Sequence, residues 1–179
     1  MVKAAQKTAI PKLADLVIHE CEQNSDEWIH ARMGLATASE LGTIMASGRD
    51  GGDSKGRSTL LRKLAGESVT GEPMESYQNA VMERGKTKEP EVRDWYARTK
   101  FADIHQVGFI FNPEIKAGCS PDGLIGDDGM IEIKTAAAHV MIGILEKGTL
   151  PPEHRPQCHG ALWISRRKWI DLVIYCHPK

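Results

Sequence analysis

The sequence is poor in aromatic residues, which make up 6% of its 179 positions, and it carries only four cysteines, Cys21, Cys119, Cys158 and Cys176. None of the four forms a C-x-x-C pair and no histidine stands at zinc-finger spacing from them. That spacing does not supply a clustered iron–sulfur site and favours buried, reduced thiols over a disulfide framework or a metal knuckle. Charge of one sign is missing too: 23 Lys and Arg stand against 24 Asp and Glu, a formal net charge of -1. The balance excludes a basic nucleic-acid coat protein, an acidic disordered tail and a polybasic membrane binder. No apolar run approaches the ~18 residues of a membrane-spanning helix, and the first 20 residues lack the apolar centre of a secretion signal. A soluble, cytoplasmic protein is expected.

What remains is ordinary globular composition, 41% hydrophobic and 26% charged, in a chain long enough to bury roughly 70% of its unfolded-state surface. One domain over residues 1–179 is expected. Residues 1–20 read as an N-terminal arm ending in the apolar Leu16-Val17-Ile18. Asn24-Ser25 can cap a helix carrying Trp28, Ile29 and Met33, which Gly34 ends. Thr37-Ala38-Ser39-Glu40 has the T-x-x-E form of a capping box, so a second helix is expected from Thr37 to about Met45, its N-terminal amides a potential phosphate seat. Residues 47–57 hold four glycines and mixed charges, with nothing large and apolar to pack, and predict a mobile loop.

Helical spacing returns at Leu60, Leu61, Leu64 and Ala65 and again from Tyr77 to Met82. Pro90 fits the first turn of a helix bearing Val92, Trp95 and Tyr96 towards Lys100. At Ile104 the pattern changes to short β-branched runs, IHQVGFIF, AGCSPDGLIG and GMIEIKT, separated by Asn112-Pro113 and Asp127-Asp128-Gly129. They read as a strand meander with tight turns. Ala136 to Lys147 is helical again and closes at Gly148, Pro151-Pro152 break the chain, Glu153 to Ile164 is another helix, and residues 167–176 form a final strand. Helices, a meander, then helix-helix-strand predict an α/β architecture with a mixed sheet.

The stretch that carries chemistry is Ser120-Pro121-Asp122-Gly123-Leu124 with Ile131-Glu132-Ile133-Lys134. Side chains at i and i+2 of a strand share a face, so Glu132 and Lys134 project together while Ile131 and Ile133 enter the core on the other side. Asp122 lies ten residues before Glu132, across a hairpin. Two converging carboxylates make an oxygen-rich hole suited to a hard divalent ion such as Mg²⁺, and an adjacent ammonium can orient or deprotonate a water. The plain alternative is an exposed Glu–Lys pair of little energetic worth.

Asp122-Gly123 after Pro121, followed by Glu132-Ile133-Lys134, resembles the PD-(D/E)xK nuclease signature. CSPDGLIG is similar to the lambda exonuclease and YqaJ-type viral recombinase group within it. The run from Trp28 through Arg32-Met33-Gly34 to Thr37-Ala38-Ser39-Glu40 resembles that group's N-terminal block, and the likeness extends to about Tyr175. The resemblance implies a restriction-endonuclease-like core, a central mixed β-sheet flanked by helices. It implies that Asp122 and Glu132 are metal ligands together with the Ile133 carbonyl, and that Lys134 positions the hydrolytic water. Glu89 falls where the family has a helix glutamate near the metal; as a glutamate in a first helical turn, favoured by the helix dipole, it has an equally good structural reading. Arg32, Ser39, Ser120 and Gln157 match positions that hold the 5'-terminal phosphate, a role that suits an Arg fork and hydroxyls. A surface arginine, a cap-reinforcing serine and a helix-bonded glutamine are the plainer readings of Arg32, Ser39 and Gln157.

The activity the resemblance implies is Mg²⁺-dependent 5'-to-3' digestion of linear double-stranded DNA, with Mn²⁺ able to substitute, leaving 3' overhangs for phage-type recombination by strand annealing. Its partners would be DNA ends, a single-strand annealing protein and further copies of the chain in a ring-shaped trimer, in the cytoplasm of a bacterial host. An endonuclease of the same superfamily and a non-catalytic DNA-end-binding module are the alternatives. His30, His139, His154 and His159 have no metal-ligand spacing among themselves. Trp28, Trp95, Trp163 and Trp169 are read as core residues, one of them with the alternative of a wedge against the DNA end, and Arg166-Arg167-Lys168 as a solvated strand start or a phosphate contact.

Overall fold

A computed structural model describes residues 15–74 and 80–176, the side chains of 80–87 left aside. In chain order the elements are β1 (Val17–His19), α1 (Asp26–Arg32), β2 (Ala36–Thr37), a 3-10 turn (Ala38–Glu40), α2 (Leu41–Met45), α3 (Lys55–Thr70), α4 (Ala80–Lys100), β3 (Ile104–His105), β4 (Phe109–Asn112), β5 (Ala117–Cys119), β6 (Gly123–Ile125), β7 (Gly129–Ala136), α5 (Ala138–Lys147), α6 (Arg155–Ser165) and β8 (Trp169–Cys176). Local signals start and stop them. The Ser25 hydroxyl accepts from the Trp28 N–H at 3.2 Å to cap α1, and Gly34, at φ 69°, turns the chain away in a left-handed conformation that glycine adopts without strain. At Thr37 the capping box forms: the Glu40 carboxylate accepts from the Thr37 N–H at 3.0 Å and from its hydroxyl at 2.9 Å.

The strands form two four-stranded ladders, β1-β4-β5-β2 and β3-β6-β7-β8, joined by continuous chain. Each is antiparallel apart from one parallel pair, β2 with β5 and β7 with β8. The expected meander supplies the middle of both. β4 pairs with β5 and β3 with β6, but between them pairing stops at Gln106-Val107-Gly108 on one side and Ser120-Pro121-Asp122 on the other. Pro121 has no N–H to give a ladder. Backbone acceptors near this break are taken by side chains from the N-terminal region, since buried carbonyls require partners. Gln23 Nε2 donates to the Val107 and Pro121 carbonyls at 3.3 and 2.9 Å, and Trp28 Nε1 donates to the Gly108 carbonyl at 3.0 Å. A Cβ at Gly108 would fall 2.4 Å from the Cys21 carbonyl oxygen, so the crossing admits only glycine.

Alternation along β7 builds two cores. Met130 packs with Ile110, Cys119, Leu124, Ala161 and Ile164 on the α6 side. Ile131 and Ile133 pack with Val92 and Tyr96 of α4 on the other. The α4 stripe Glu89, Val92, Arg93, Tyr96 follows the i, i+3, i+4, i+7 spacing of one helix face, and the Tyr96 hydroxyl reaches Asp171 of β8 at 2.6 Å.

Several sequence expectations shift. Val17–His19, read as the end of an arm, pairs with Phe109–Phe111 as a strand. The expected loop 47–57 is shorter: Ser47 bridges to Asp53, the Gly48 N–H donates to the Gly52 carbonyl at 2.7 Å, and residues 55–57 open α3 behind a Ser54 cap. Pro90 lies inside α4, not in its first turn; a proline there lacks the N–H that would bond the Lys86 carbonyl. Of the expected helical stretch from Tyr77 to Met82, residues 77–79 lie outside the described residues and 80–82 belong to α4.

Candidate active site

β7 outruns β6. β6 pairs with Gly129–Ile131 only, whereas β8 accompanies β7 from Gly129 to Ala136. Beyond Ile131 the β6 side of β7 is therefore free of a ladder, and the turn that precedes β6 delivers Asp122 into this notch. Asp122 Oδ2 accepts from the Ile133 N–H at 2.5 Å. Within a strand the N–H and C=O of one residue face the same neighbour, so the Ile133 carbonyl faces the Asp122 side as well.

Glu132 and Lys134 share the other face, with Lys134 Nζ 2.5 Å from Glu132 Oε1 and Gln157 Nε2, from α6, donating to the same oxygen. The Glu132 carboxylate is buried, 3% exposed, and Asp122 is 9% exposed. Glu89 comes from α4 and is ion-paired to Arg93, whose Nε donates to the Asp122 carbonyl at 2.6 Å.

The electrostatics follow from this crowding. Burial, then the neighbouring Glu132 and Glu89 charges, hold Asp122 well above the ordinary carboxylate range, against the Ile133 N–H and Lys134. Glu89 is raised chiefly by burial, opposed by Arg93. For Lys134 burial pulls downward, but the charge and hydrogen bond of Glu132, with Asp122, outweigh it and the ammonium is held above its ordinary value. Held as a cation beside Glu132, Lys134 is placed where an ammonium can orient a water.

Three carboxylates against two cations leave the site short of positive charge. Among the described residues no three His, Cys, Asp or Glu side chains gather at ligand spacing. The oxygens that could serve as donors are instead two carboxylates and the Ile133 carbonyl, all hard, a set that would suit an ion such as Mg²⁺ that keeps part of its shell for water and phosphate. Asp122→Asn is therefore expected to raise the Tm in metal-free buffer at neutral pH. The folded chain holds the Asp122 proton more tightly than the unfolded chain, so parent stability declines as pH rises above the ordinary carboxylate value. Adding Mg²⁺ at 100 times its Kd stabilises the parent by about 2.7 kcal/mol and leaves the variant unchanged in a thermal-shift measurement; an equal gain in both would remove Asp122 from the ligand set.

Arg32, Ser39, Ser120 and Gln157 line one small cavity with Thr37, Cys119 and Glu132. At about 40 Å³ it exceeds the roughly 10–15 Å³ a single water needs. The Arg32 guanidinium stacks on the Trp28 ring at 4.1 Å. Burial lowers its pKa, and the nearby Glu40 and Glu67 charges oppose that shift. The Trp28 ring N–H also donates to Ser120 Oγ at 2.8 Å, which leaves the hydroxyl proton for an incoming acceptor. Ser39 Oγ lies 3.1 Å from the Thr37 hydroxyl, and Glu67 Oε2 accepts from the Gly34 N–H at 2.9 Å, fixing the turn behind Arg32. Gln157 belongs to both sites, lining the cavity and bonding Glu132.

The candidate metal, catalytic and phosphate-binding residues thus fall into two adjoining groups, Asp122, Glu132, Ile133, Lys134 and Glu89 in the notch and Arg32, Ser39, Ser120 and Gln157 in the cavity. Sequence reasoning missed Trp28 as a support for Arg32, and Arg93 altogether. Both stand four residues from a recognised site residue on a helix, Trp28 before Arg32 and Arg93 after Glu89, so the i, i+4 rule carried the signal. The basic run before β8 is tied down: Arg167 donates to the Gly126 and Gly129 carbonyls at 2.8 and 2.7 Å, Lys168 pairs with Asp128 at 2.7 Å and Arg166 with Glu114 at 2.8 Å. The Cys119 thiol, pushed up to about 12 by burial and then by Glu132, stays protonated beside the cavity.

Mixed sheets flanked by helices, with an acidic notch at the end of a hairpin, define a restriction-endonuclease-like fold. Comparison with known proteins gives the family. The model of the YqaJ-like viral recombinase domain matches residues 27–168, and the chain belongs to that family. Among solved structures it is similar to the alkaline exonuclease LHK-Exo of Laribacter hongkongensis, at 33% identity and a TM-score of 0.74, over 85% of this chain and 74% of that one. The complex of LHK-Exo with dAMP matches at 33% identity and a TM-score of 0.74, over 84% of this chain and 74% of that one. A phage-related exonuclease of Haemophilus somnus 129PT shares the fold, with a TM-score of 0.56 at 14% identity over 80% of this chain and 70% of that one. No curated protein matches the chain.

Proposed function

We propose that the protein is a Mg²⁺-dependent exonuclease that digests linear double-stranded DNA from its 5' ends and leaves 3' single-stranded overhangs for recombination by annealing. Membership of the YqaJ-like family and the likeness to alkaline exonucleases support a phage-type exonuclease. The observation that carries the finer reading is the shared wall between cavity and notch: Glu132 lines the cavity that holds Arg32, Ser39, Ser120 and Gln157. Near-neutral net charge suits such an enzyme, because binding rests on a few concentrated phosphate contacts and not on bulk charge.

On this reading Arg32 grips the terminal phosphate with its planar fork while Ser39 and Ser120 donate hydroxyl hydrogens to it. Gln157 keeps the Glu132 carboxylate in register with that phosphate. Asp122, Glu132 and the Ile133 carbonyl would hold Mg²⁺, or Mn²⁺ in its place, which would supply charge neutralisation to the phosphate chemistry. Lys134 orients the attacking water and Glu89 completes the acidic wall. Each cut exposes a new 5'-phosphate for the same cavity. The exposed apolar side chains of α5, Val140, Ile142 and Leu145, support an assembled form, read here as a ring-shaped trimer that works with an annealing protein in the host cytoplasm. No helix among the described residues is long and apolar enough to cross a membrane.

Incubation of 5'-phosphorylated linear duplex and covalently closed circular duplex with the protein and Mg²⁺ tests the reading. Complete loss of the linear DNA with an intact circle is expected. Nicking of the circle at a comparable rate would sink it in favour of an endonuclease, and no loss of either would favour a binding module.

A further inference from the structure

Arg93 lies in none of the motifs read from the sequence, yet its guanidinium is a meeting point of the fold. The residue is 9% exposed. Its Nε donates to the Asp122 carbonyl at 2.6 Å, and one terminal nitrogen donates to the Glu89 carboxylate. The Gln106 amide, with its oxygen towards the guanidinium, accepts from both terminal nitrogens at 2.8 and 3.2 Å. The acceptors come from three places: α4 itself, the break between β3 and β4, and the break between β5 and β6. One rigid fork therefore clamps both sides of the interruption that delivers Asp122 into the notch.

We propose that Arg93 is a positioning residue that sets the affinity of the notch for its divalent ion. By fixing the Asp122 carbonyl it fixes the peptide from which the Asp122 carboxylate reaches Ile133. By holding Glu89 it keeps a third carboxylate beside the pair while offsetting its charge. The inference rests on the metal-dependent nuclease reading. It also separates geometry from charge: a lysine at this position keeps the positive charge but has a compact ammonium on a flexible stem and no planar fork to meet three acceptors in set directions.

Arg93→Lys in the full chain is the test, read first as Mn²⁺ binding without DNA by the electron paramagnetic resonance signal of the free ion. Removing the groups that orient metal ligands typically costs about 10–100-fold in affinity, and a loss of that size is expected. The Mg²⁺ concentration for half-maximal digestion should rise in parallel, while binding of 5'-phosphorylated duplex in metal-free buffer stays at the parent value because the Arg32 cavity is untouched. Gln106→Ala, at an exposed position where folding is spared, should shift Mn²⁺ affinity in the same direction by a smaller factor. Parent-like Mn²⁺ binding in both variants would overturn the proposal, as would equal losses of Mn²⁺ and duplex binding in Arg93→Lys, the mark of a merely structural residue. Should Arg93→Lys fail to fold, Gln106→Ala decides: unchanged Mn²⁺ affinity overturns the proposal and weakened affinity upholds it. Failure of the nuclease reading looks different, since the parent itself would then neither bind Mn²⁺ nor digest DNA.

Discussion

Lys134→Ala is expected to slow digestion of linear duplex by about 10²–10³-fold, the usual effect of deleting one preorganised donor aimed at a reacting centre. Three features set that expectation. The ammonium is held by Glu132 at 2.5 Å, its position on β7 is fixed by pairing with Ile174 of β8, and the Glu132 and Asp122 charges outweigh burial in favour of its charged form. Binding of 5'-phosphorylated duplex with Ca²⁺ in place of Mg²⁺ should be unchanged, because Lys134 does not line the Arg32 cavity. A rate loss without a binding loss is the pattern of a group that acts in the transition state. Unchanged digestion by Lys134→Ala would show that hydrolysis takes place elsewhere.

Arg32→Ala should strike substrate selection instead. A hydrogen bond between charged groups contributes about 1.5–3 kcal/mol, or roughly 10–100-fold at 1.4 kcal/mol per decade. The rate on 5'-phosphorylated ends should fall by that factor while the rate on 5'-hydroxyl ends hardly moves, so the ratio between the two substrates collapses. Arg32→Lys should lie between, since it keeps the charge but loses the fork and much of the stacking on Trp28. Initial rates on the two substrates give the ratio directly. An equal fall on both would make Arg32 a structural residue of the α1 end and not a phosphate ligand.

The notch was legible in the sequence because strand periodicity is local: Ile131 and Ile133 had to point into a core, which put Glu132 and Lys134 together on the other face. The Thr37 to Glu40 cap was legible for the same reason, its partners being three residues apart. Where the ladders stop was not. Period-two alternation fixes a face but does not say how far a neighbour extends, and the division between β5 and β6 depends on Gln23 bonding carbonyls 84 and 98 residues away. Pro121 and Gly108 marked the place without revealing the partner. The start of α4 was missed because Pro90, an ordinary first-turn signal, here sits in the interior. The adjoining cavity came from family resemblance and not from spacing: Arg32, Ser39, Ser120 and Gln157 lie on α1, the 3-10 turn, the β5–β6 break and α6, and no local rule brings those four segments together. Arg93 shows both limits at once, since the i, i+4 pair with Glu89 was visible and its reach to Asp122 and Gln106 was not.

We propose that the notch and the cavity act as one machine that removes nucleotides from 5' ends. Its most direct test follows a linear 5'-phosphorylated duplex labelled at the 5' end of one strand or the 3' end of the same strand, digested with Mg²⁺ and resolved on a denaturing gel. Early release of the 5' label as mononucleotide is expected, while the 3'-labelled strand shortens progressively. Early release of the 3' label, or labelled fragments of internal length from the first time points, would contradict it.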